Sequence, residues 1–231
     1  MASVAAIIVA AGPGTRLAAG MPKAFVPLAG VPLFVRSLHA LLASRAIDRV
    51  IVVAPPDDMT NAAQLLEAGA PYRLVPQLVA GGAERQDSVR HGLAAVGDAA
   101  LVAIHDAARP FVTADTIDAA IEAAREHGAA IVAIPATDTI KLVHPDGWIE
   151  ATPPRARTWL AQTPQVFRTN LIRAAHDDAD PTAPATDDAA LVERLGHRVR
   201  VVVGTADNRK ITTPDDREWA EWRLARSAAS R

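Results

Sequence analysis

The sequence predicts an α/β protein: a three-layer sandwich on a mainly parallel, doubly wound sheet, with a β-hairpin arm protruding from it. Three observations carry this. Short, nearly continuous runs of apolar, β-branched residues recur along the 231 residues, as expected of strands buried on both faces. Stretches with helical periodicity lie between them, and such alternation implies right-handed crossovers. A single stretch near Pro145 breaks the rhythm with two short extended pieces around a turn.

The predicted strands are SVAAIIVAA (3–11), RVIVVA (49–54), YRLVP (72–76), ALVAIHD (100–106), AAIVAIP (129–135) and RVRVVVG (198–204). Among the helices, Pro32 suits a first helical position, and Phe34, Leu38, Leu41 and Leu42 follow as an apolar stripe. Thr113 is the expected N-cap of the next helix, Ile117, Ala120, Ile121 and Ala124 its buried face, and Gly128 its stop. Thr213-Pro214-Asp215-Asp216 opens a last helix bearing Trp219 and Trp222. The exception is DTIKLVHPDGWIEATPP (138–154), where Pro145-Asp146-Gly147 is a turn tripeptide. An isolated hairpin is marginal in water. This arm, at about residues 136–158, is therefore expected to pack on a second copy of the chain and make a homodimer; the alternative is a lid folded over its own domain. No repeat or low-complexity linker interrupts the sequence, so residues 1–231 read as one domain.

Composition narrows the function. Half of the residues are apolar, 22% are charged and the net charge is −2, so neither nucleic acid nor a membrane surface is expected as a partner. The sequence has no Cys, which excludes disulfides, thiolate nucleophiles and Cys-ligated zinc. The run from Val4 to Ala11 has no base before it and is too short to span a bilayer, so the protein is expected in the cytoplasm. Arginine outnumbers lysine 21 to three. Each of Lys23, Lys141 and Lys210 is thus a rarer choice, a compact mobile charge in place of a planar fork.

The loop after the first strand, AAGPGTRLAAGMPKAF (10–25), lies where open α/β sheets bind ligands. It is no P-loop, because Gly14-Thr15-Arg16 lacks the closing Gly-Lys-Ser/Thr. It is no dinucleotide fingerprint either: Leu17 stands where the third Gly belongs, and no acid precedes Asp48. It retains what a phosphate cradle needs, since Gly12 and Gly14 admit close backbone approach and Arg16 and Lys23 supply charge. A structural turn is the competing reading. GGAERQDSV (81–89) offers paired glycines against which a flat base can lie, and Ser88 near a helix start; alone it reads equally as a turn and a cap. In HDAARP (105–110), Asp106 sits at a strand end where Mg²⁺ finds a carboxylate, and Arg109 follows as an ion-pair partner or a substrate contact. ADNRK (206–210) adds Asp207, a candidate second metal ligand, and Lys210 for a second phosphate-bearing substrate. His105, His127 and His197 lack metal-ligand spacing and read as structural.

With TDTIK, RARTWLAQTPQVF, TDDAALVERLG and ADNRKIT in the same order, these stretches resemble the 2-C-methyl-D-erythritol 4-phosphate cytidylyltransferase family along essentially the whole chain. The resemblance implies a Rossmann-like nucleotidyltransferase sheet. It implies transfer of CMP from CTP to methylerythritol 4-phosphate, in the non-mevalonate isoprenoid pathway. It also implies the roles. Arg16 and Lys23 would stabilise charge at the α-phosphate, while Ala10, Ala11, Gly12, Gly81, Gly82 and Ser88 would hold cytosine and ribose. Gly14 would lie under the phosphates. Asp106 and Asp207 would hold Mg²⁺ or another divalent cation. Arg155, Lys210, Thr163 and Thr139 would position the acceptor phosphate, with Arg109 near its hydroxyls. The arm, with Thr139 and Arg155, would cross to the partner of a homodimer. Departures are small: Val9 replaces a frequent Pro, Gly-Pro-Gly stands for the more usual Gly-Phe-Gly or Gly-x-Gly, and a second base, Arg157, follows Arg155. The chain ends soon after its last helix, so no fused second enzyme is expected. An acceptor such as ribitol 5-phosphate is the alternative, and a silent nucleotide-binding regulator is disfavoured by Arg16, Lys23, Asp106 and Lys210 standing together.

Overall fold

The computed structural model describes residues 2–12, 21–180, 183 and 185–229. In chain order the strands are β1 (Val4–Val9), β2 (Pro27–Leu28), β3 (Val31–Pro32), β4 (Arg49–Ala54), β5 (Gln77–Ala80), β6 (Leu101–Asp106), β7 (Ala129–Pro135), β8 (Leu142–Val143), β9 (Ile149–Ala151), β10 (Trp159–Arg168) and β11 (Arg200–Val203). The helices are α1 (Leu33–Leu42), α2 (Met59–Ala68), α3 (Arg85–Ala95), α4 (Ala114–His127), α5 (Thr169–Asp177), α6 (Asp188–Arg194) and α7 (Pro214–Ala229).

Seven strands form one sheet in the order β11-β7-β10-β6-β1-β4-β5. All neighbours run parallel except at β10, which is antiparallel to both β6 and β7. The mainly parallel, doubly wound sheet expected from the apolar runs is therefore present, with one strand reversed. Alternation along each strand divides the core. Val4, Ala6 and Ile8 of β1 face a cluster with α1, α2 and α4, whereas Ala5 and Ile7 face α3, α5 and α6. Burying each large aliphatic is worth roughly 1.5–3 kcal/mol, so these two clusters hold helices to both faces. Thr113 caps α4 by accepting the Thr116 N–H at 3.2 Å, and Gly128 ends it at φ +89°, as the sequence predicts.

Two strands differ from expectation. Residues 72–76 are not a strand; the edge strand is β5, which begins directly after them and pairs with β4 from Ile51–Gln77. Arg73 is drawn to the carbonyls of Leu42, Ser44 and Ile47, and Pro76 has no N–H for a ladder. The sequence also did not predict β10, because Gln162-Thr163-Pro164-Gln165 interrupts its apolar pattern. The register shift against β7 falls between Ala161 and Gln165, and a bulge of this kind re-aims side chains next to sites.

The arm is present. Strands β8 and β9 pair antiparallel around a turn in which Gly147 adopts φ +93°, and the Trp148 N–H bonds Asp146 Oδ1 at 3.2 Å. Its apolar side chains are uncovered, with Trp148 76% and Ile149 61% exposed.

Candidate active site

The sheet order reverses between β1 and β6, one neighbour of β1 being β4 and the other β6. Their carboxyl ends, Val9 and Asp106, lie side by side; this is the crevice where ligands bind in such sheets. A cavity of about 140 Å³ opens there, lined by Val9, Ala10, Gly12, Lys23, Ala24, Arg85, Asp106, Ala107, Ala108 and Lys210. A second, of about 240 Å³, is lined by Arg85, Asp106, Arg109, Ala161, Gln162, Thr163, Gln165, Thr186, Asp187 and Lys210. Arg85, Asp106 and Lys210 form a wall common to both.

That wall is one acid among cations. Asp106 Oδ2 lies 2.9 Å from Lys210 Nζ and 3.4 Å from Arg109 Nε, and its Oδ1 is 3.8 Å from Arg85 Nε. Burial alone pushes the Asp106 carboxyl up, but Lys210, Arg85 and Arg109 together outweigh it and hold it well below the usual carboxylate range. It therefore stays ionised, with Arg85 and Lys210 beside it on the wall of both cavities. Arg85, the first residue of α3, is set by a capping box in which Glu84 and Asp87 bond each other's backbone. Its Nη2 donates to the buried Asp188 at 2.8 Å, and His176 Nε2 lies 3.2 Å from the other Asp188 oxygen. Burial works against the Arg85 charge, yet Asp188 and Asp106 leave its pKa raised. Burial likewise pushes the Asp188 carboxyl up, and Arg85 and the His176 hydrogen bond leave it lowered.

The segment carrying Lys210 is stitched to this wall. Arg109 Nη1 donates to the Asn208 carbonyl at 2.7 Å, Asn208 Nδ2 to the Thr163 carbonyl at 2.9 Å, and the Ile211 N–H to the Ala108 carbonyl at 2.9 Å. Behind it His105 is fully buried; burial lowers its pKa to about 4, so the ring is neutral.

A family model described as 2-C-methyl-D-erythritol 4-phosphate cytidylyltransferase matches residues 4–226. The chain belongs to this family. It is 46% identical over 224 residues to the 2-C-methyl-D-erythritol 4-phosphate cytidylyltransferase of Geobacter metallireducens, covering 95% of this chain and 96% of that one. It is 46% identical over 222 residues to that of Syntrophus aciditrophicus, covering 94% of each. Among solved structures, 4-diphosphocytidyl-2C-methyl-D-erythritol synthase of Anaerococcus prevotii superposes with a TM-score of 0.85 at 31% identity, covering 97% of this chain and 96% of that one. The Thermus thermophilus cytidylyltransferase superposes with a TM-score of 0.77 at 37% identity, covering 97% and 99%.

The cytidylyltransferase chain brings several of its expected site residues together and separates others. Ala10, Gly12, Lys23, Asp106 and Lys210 line the first cavity, and Arg109 and Thr163 line the second. Gly14 and Arg16 lie outside the described residues. Gly81, Gly82 and Ser88 form the neighbouring loop: the Gly81 N–H bonds the Ala54 carbonyl at 2.8 Å, and the Ser88 hydroxyl accepts from the Gly82 N–H and donates to the Glu84 carbonyl, both at 3.1 Å. Ala11 packs so closely on Gly81 that a Cβ there would lie 2.4 Å from the Ala11 methyl. Asp207 lines neither cavity; its Oδ2 accepts from Arg223 Nε of α7 at 2.8 Å. Thr139 and Arg155 line neither, being exposed at the root of the arm, where Arg155 Nη1 reaches the Thr137 carbonyl at 3.3 Å.

Reading the sequence overlooked Arg85, Gln165, Thr186, Asp187 and Asp188. Gln165 bridges strand and helix, its Nε2 donating to Asp187 at 2.8 Å and its Oε1 accepting from the Ala189 N–H at 3.0 Å. Arg85 had one available signal: a base inside a glycine-led loop opening a helix, in the same stretch as Ser88. Its acidic partners lie at Asp106 and Asp188, far along the sequence, and only the fold joins them.

Proposed function

We infer that the chain transfers the cytidylyl group of CTP to 2-C-methyl-D-erythritol 4-phosphate, giving 4-diphosphocytidyl-2-C-methyl-D-erythritol and pyrophosphate. A phosphate oxygen of the acceptor attacks the α-phosphorus of CTP while the bond to the bridging α–β oxygen breaks, and pyrophosphate carries that electron pair away. One observation carries the assignment of parts: two cavities meet on a single cationic wall of Arg85, Asp106 and Lys210. Two anionic substrates approaching each other need such a wall, because positioning and charge neutralisation supply most of the catalysis in phosphoryl transfer. The first cavity, beside the loop after β1, suits the triphosphate, with Lys23 and by the family pattern Arg16 neutralising the α-phosphate. The second suits the acceptor, with Lys210 placed to meet its phosphate and Arg109 holding the Asp106 turn.

Asp106 is the one carboxylate common to both cavities, and this supports Mg²⁺ as the cofactor, since Mg²⁺ takes few carboxylates and completes its shell with phosphate oxygens and water. Bound with CTP, the ion would neutralise phosphate charge. Asp207, engaged by Arg223, would join it only after leaving that partner.

The chain works as a homodimer in this reading. Thr139 and Arg155 reach neither cavity of their own chain, and the arm between them exposes Leu142, Val143, Trp148 and Ile149, an apolar surface that a second copy would cover. The cytoplasm is the proposed place of action; no helix among the described residues is long and apolar enough to cross a membrane.

The test is pyrophosphate release from CTP and Mg²⁺ with each acceptor in turn. Turnover with methylerythritol 4-phosphate and its loss in Lys23→Ala are expected. Release with ribitol 5-phosphate alone would overturn the choice of acceptor, and a one-chain mass by sedimentation would overturn the shared site.

A further inference from the structure

Lys210 follows β11 on a loop whose side chains alternate in direction. Asp207 and Arg209 face α7, the first meeting Arg223 Nε at 2.8 Å and the second Asp216 Oδ1 at 3.1 Å. Asn208 and Lys210 face the other way, Asn208 inward to β10 and Lys210 to Asp106. Asn208 is 1% exposed, between charged neighbours that are not buried. Its amide can be oriented by elimination. The Thr205 carbonyl only accepts, so the Gln162 atom 2.9 Å from it is Nε2. Gln162 Oε1 therefore faces Asn208 at 3.1 Å and must meet a donor there. The Thr163 carbonyl, 2.9 Å from the same Asn208 atom, makes the same demand. That atom is Nδ2, and both of its hydrogens are committed to β10.

The bonds close a ring. The Asn208 N–H donates to the same Thr205 carbonyl at 3.1 Å, and the Asn208 carbonyl accepts from Arg109 Nη1 at 2.7 Å. Gln162 is fixed in its turn: it is 4% exposed, and a Cβ on Gly204 would lie 2.4 Å from its Oε1 and 2.6 Å from Val132 Cγ1. Glycine at 204 thus leaves room for this side chain and no more. Asn208 Oδ1, by contrast, is buried with no hydrogen-bond partner among the described residues. An unpaired buried acceptor is costly, and an apolar side chain of the same shape would avoid the cost. What the amide supplies instead is a two-pronged grip on β10, two residues before Lys210.

We propose that Asn208 is a positioning residue for Lys210. Its amide, aligned by Gln162, holds the loop against β10 so that Lys210 Nζ stands at the common wall beside Asp106, in reach of the acceptor phosphate. The proposal rests on the transferase reading above.

A double-variant cycle in the full-length enzyme tests it, read by single-turnover pyrophosphate release with enzyme in excess. Asn208→Ala removes both prongs. Misplacing a reacting group by an ångström costs on the order of 100-fold, so turnover should fall by about tenfold or more. CTP binding measured without acceptor should stay within about threefold of the parent. Lys210→Met alone should be slower by about 100-fold, the scale of losing one preorganised charge. Adding Asn208→Ala to Lys210→Met should slow it by less than about threefold further, because a side chain already absent cannot be misplaced.

An amide that only stabilises the fold gives a different outcome: a lowered melting temperature with parental turnover below it, or losses that multiply to about 1,000-fold in the double variant. Either result overturns the proposal. If Asn208→Ala does not fold, Gly204→Ala decides, since residue 204 lines neither cavity and its new methyl must displace the Gln162 amide. A loss of about threefold or more that vanishes in the Lys210→Met background supports the proposal. Parental turnover, or a loss that persists in that background, overturns it. A parent enzyme that releases no pyrophosphate would sink the transferase reading instead, so the two failures are separable.

Discussion

Gly81→Ala tests whether the nucleotide is held by close approach of two backbones. A Cβ at residue 81 would lie 2.4 Å from the Ala11 methyl, 2.8 Å from Ser88 Oγ and 3.3 Å from the Ala54 carbonyl oxygen. Carbon atoms rest at about 3.5–4.0 Å, so the new methyl overlaps Ala11 by more than 1 Å. Neither side can yield by turning a long side chain. The Gly81 N–H is pinned to the Ala54 carbonyl, and Ala10 by its own N–H to the Val53 carbonyl at 2.8 Å. The clash must therefore displace the start of the loop after β1, where Gly12 lines the first cavity. Overpacking of this kind costs about 1–3 kcal/mol, which for a chain of this size lowers Tm by roughly 2–12 °C. A displacement near 1 Å at a reacting group costs up to about 100-fold in rate. Steady-state pyrophosphate release with CTP varied should show kcat/KM for CTP down by about 10- to 100-fold, with the acceptor KM much less affected. An alanine variant with parental Tm and parental kcat/KM for CTP would refute the close-packing argument.

Three further outcomes are expected. Lys210→Met should lower kcat by about 100-fold or more, the scale of losing one preorganised charge; a loss confined to acceptor KM would instead make Lys210 a uniform binder. Asp188→Asn removes the buried partner of Arg85 and should destabilise the fold by about 3–5 kcal/mol in urea titration, and an unchanged midpoint would show that Arg85 is held elsewhere. The neutral, buried His105 also sets a pH dependence: with its pKa lowered from 6.5 to about 4 in the fold, the unfolded chain takes up a proton between those values that the native state refuses. Stability is then complete above pH 6.5 and falls as pH drops toward 4, by up to about 3 kcal/mol. Denaturation of the chelator-treated protein across that window should be flatter for His105→Asn by this amount, and parallel curves would contradict it.

The sheet was legible because parallel strands buried on both faces need nearly continuous apolar runs, and those are visible without the fold. What escaped reading is instructive in its chemistry. Strand β10 has to pass polar Gln162, Thr163 and Gln165 through a buried position, so its middle looks like a loop; those side chains are tolerated because Thr205, His105, Asp187 and the Asp106 amide supply partners. Arg73 turned an apparent strand into a bend by capping carbonyls far earlier in the chain. In the site, residues whose role is local to a motif, such as Lys23 or Asp106, could be named from the sequence. Arg85 could not, since its importance comes from Asp188, 103 positions away.

The contacts of the common wall also rank its cations by availability. Arg109 is nearly enclosed, with 11% of its side chain exposed, and beyond Asp106 it spends Nη1 and Nη2 on the carbonyls of Asn208 and Ala161. Arg85 is bound first to Asp188 at 2.8 Å and only loosely to Asp106 at 3.8 Å. Lys210 makes the shortest contact with Asp106, at 2.9 Å, yet it is the most exposed of the three at 42%. Lys210 is the cation of the three that reaches furthest into solvent, so an entering phosphate competes for it more easily than for either arginine. The lysine is thus the movable charge and the arginines the fixed frame. A point charge on a flexible stem suits that place, whereas a planar fork suits the other two, and in a chain that uses arginine nearly everywhere else, the lysine at 210 has a physical reason.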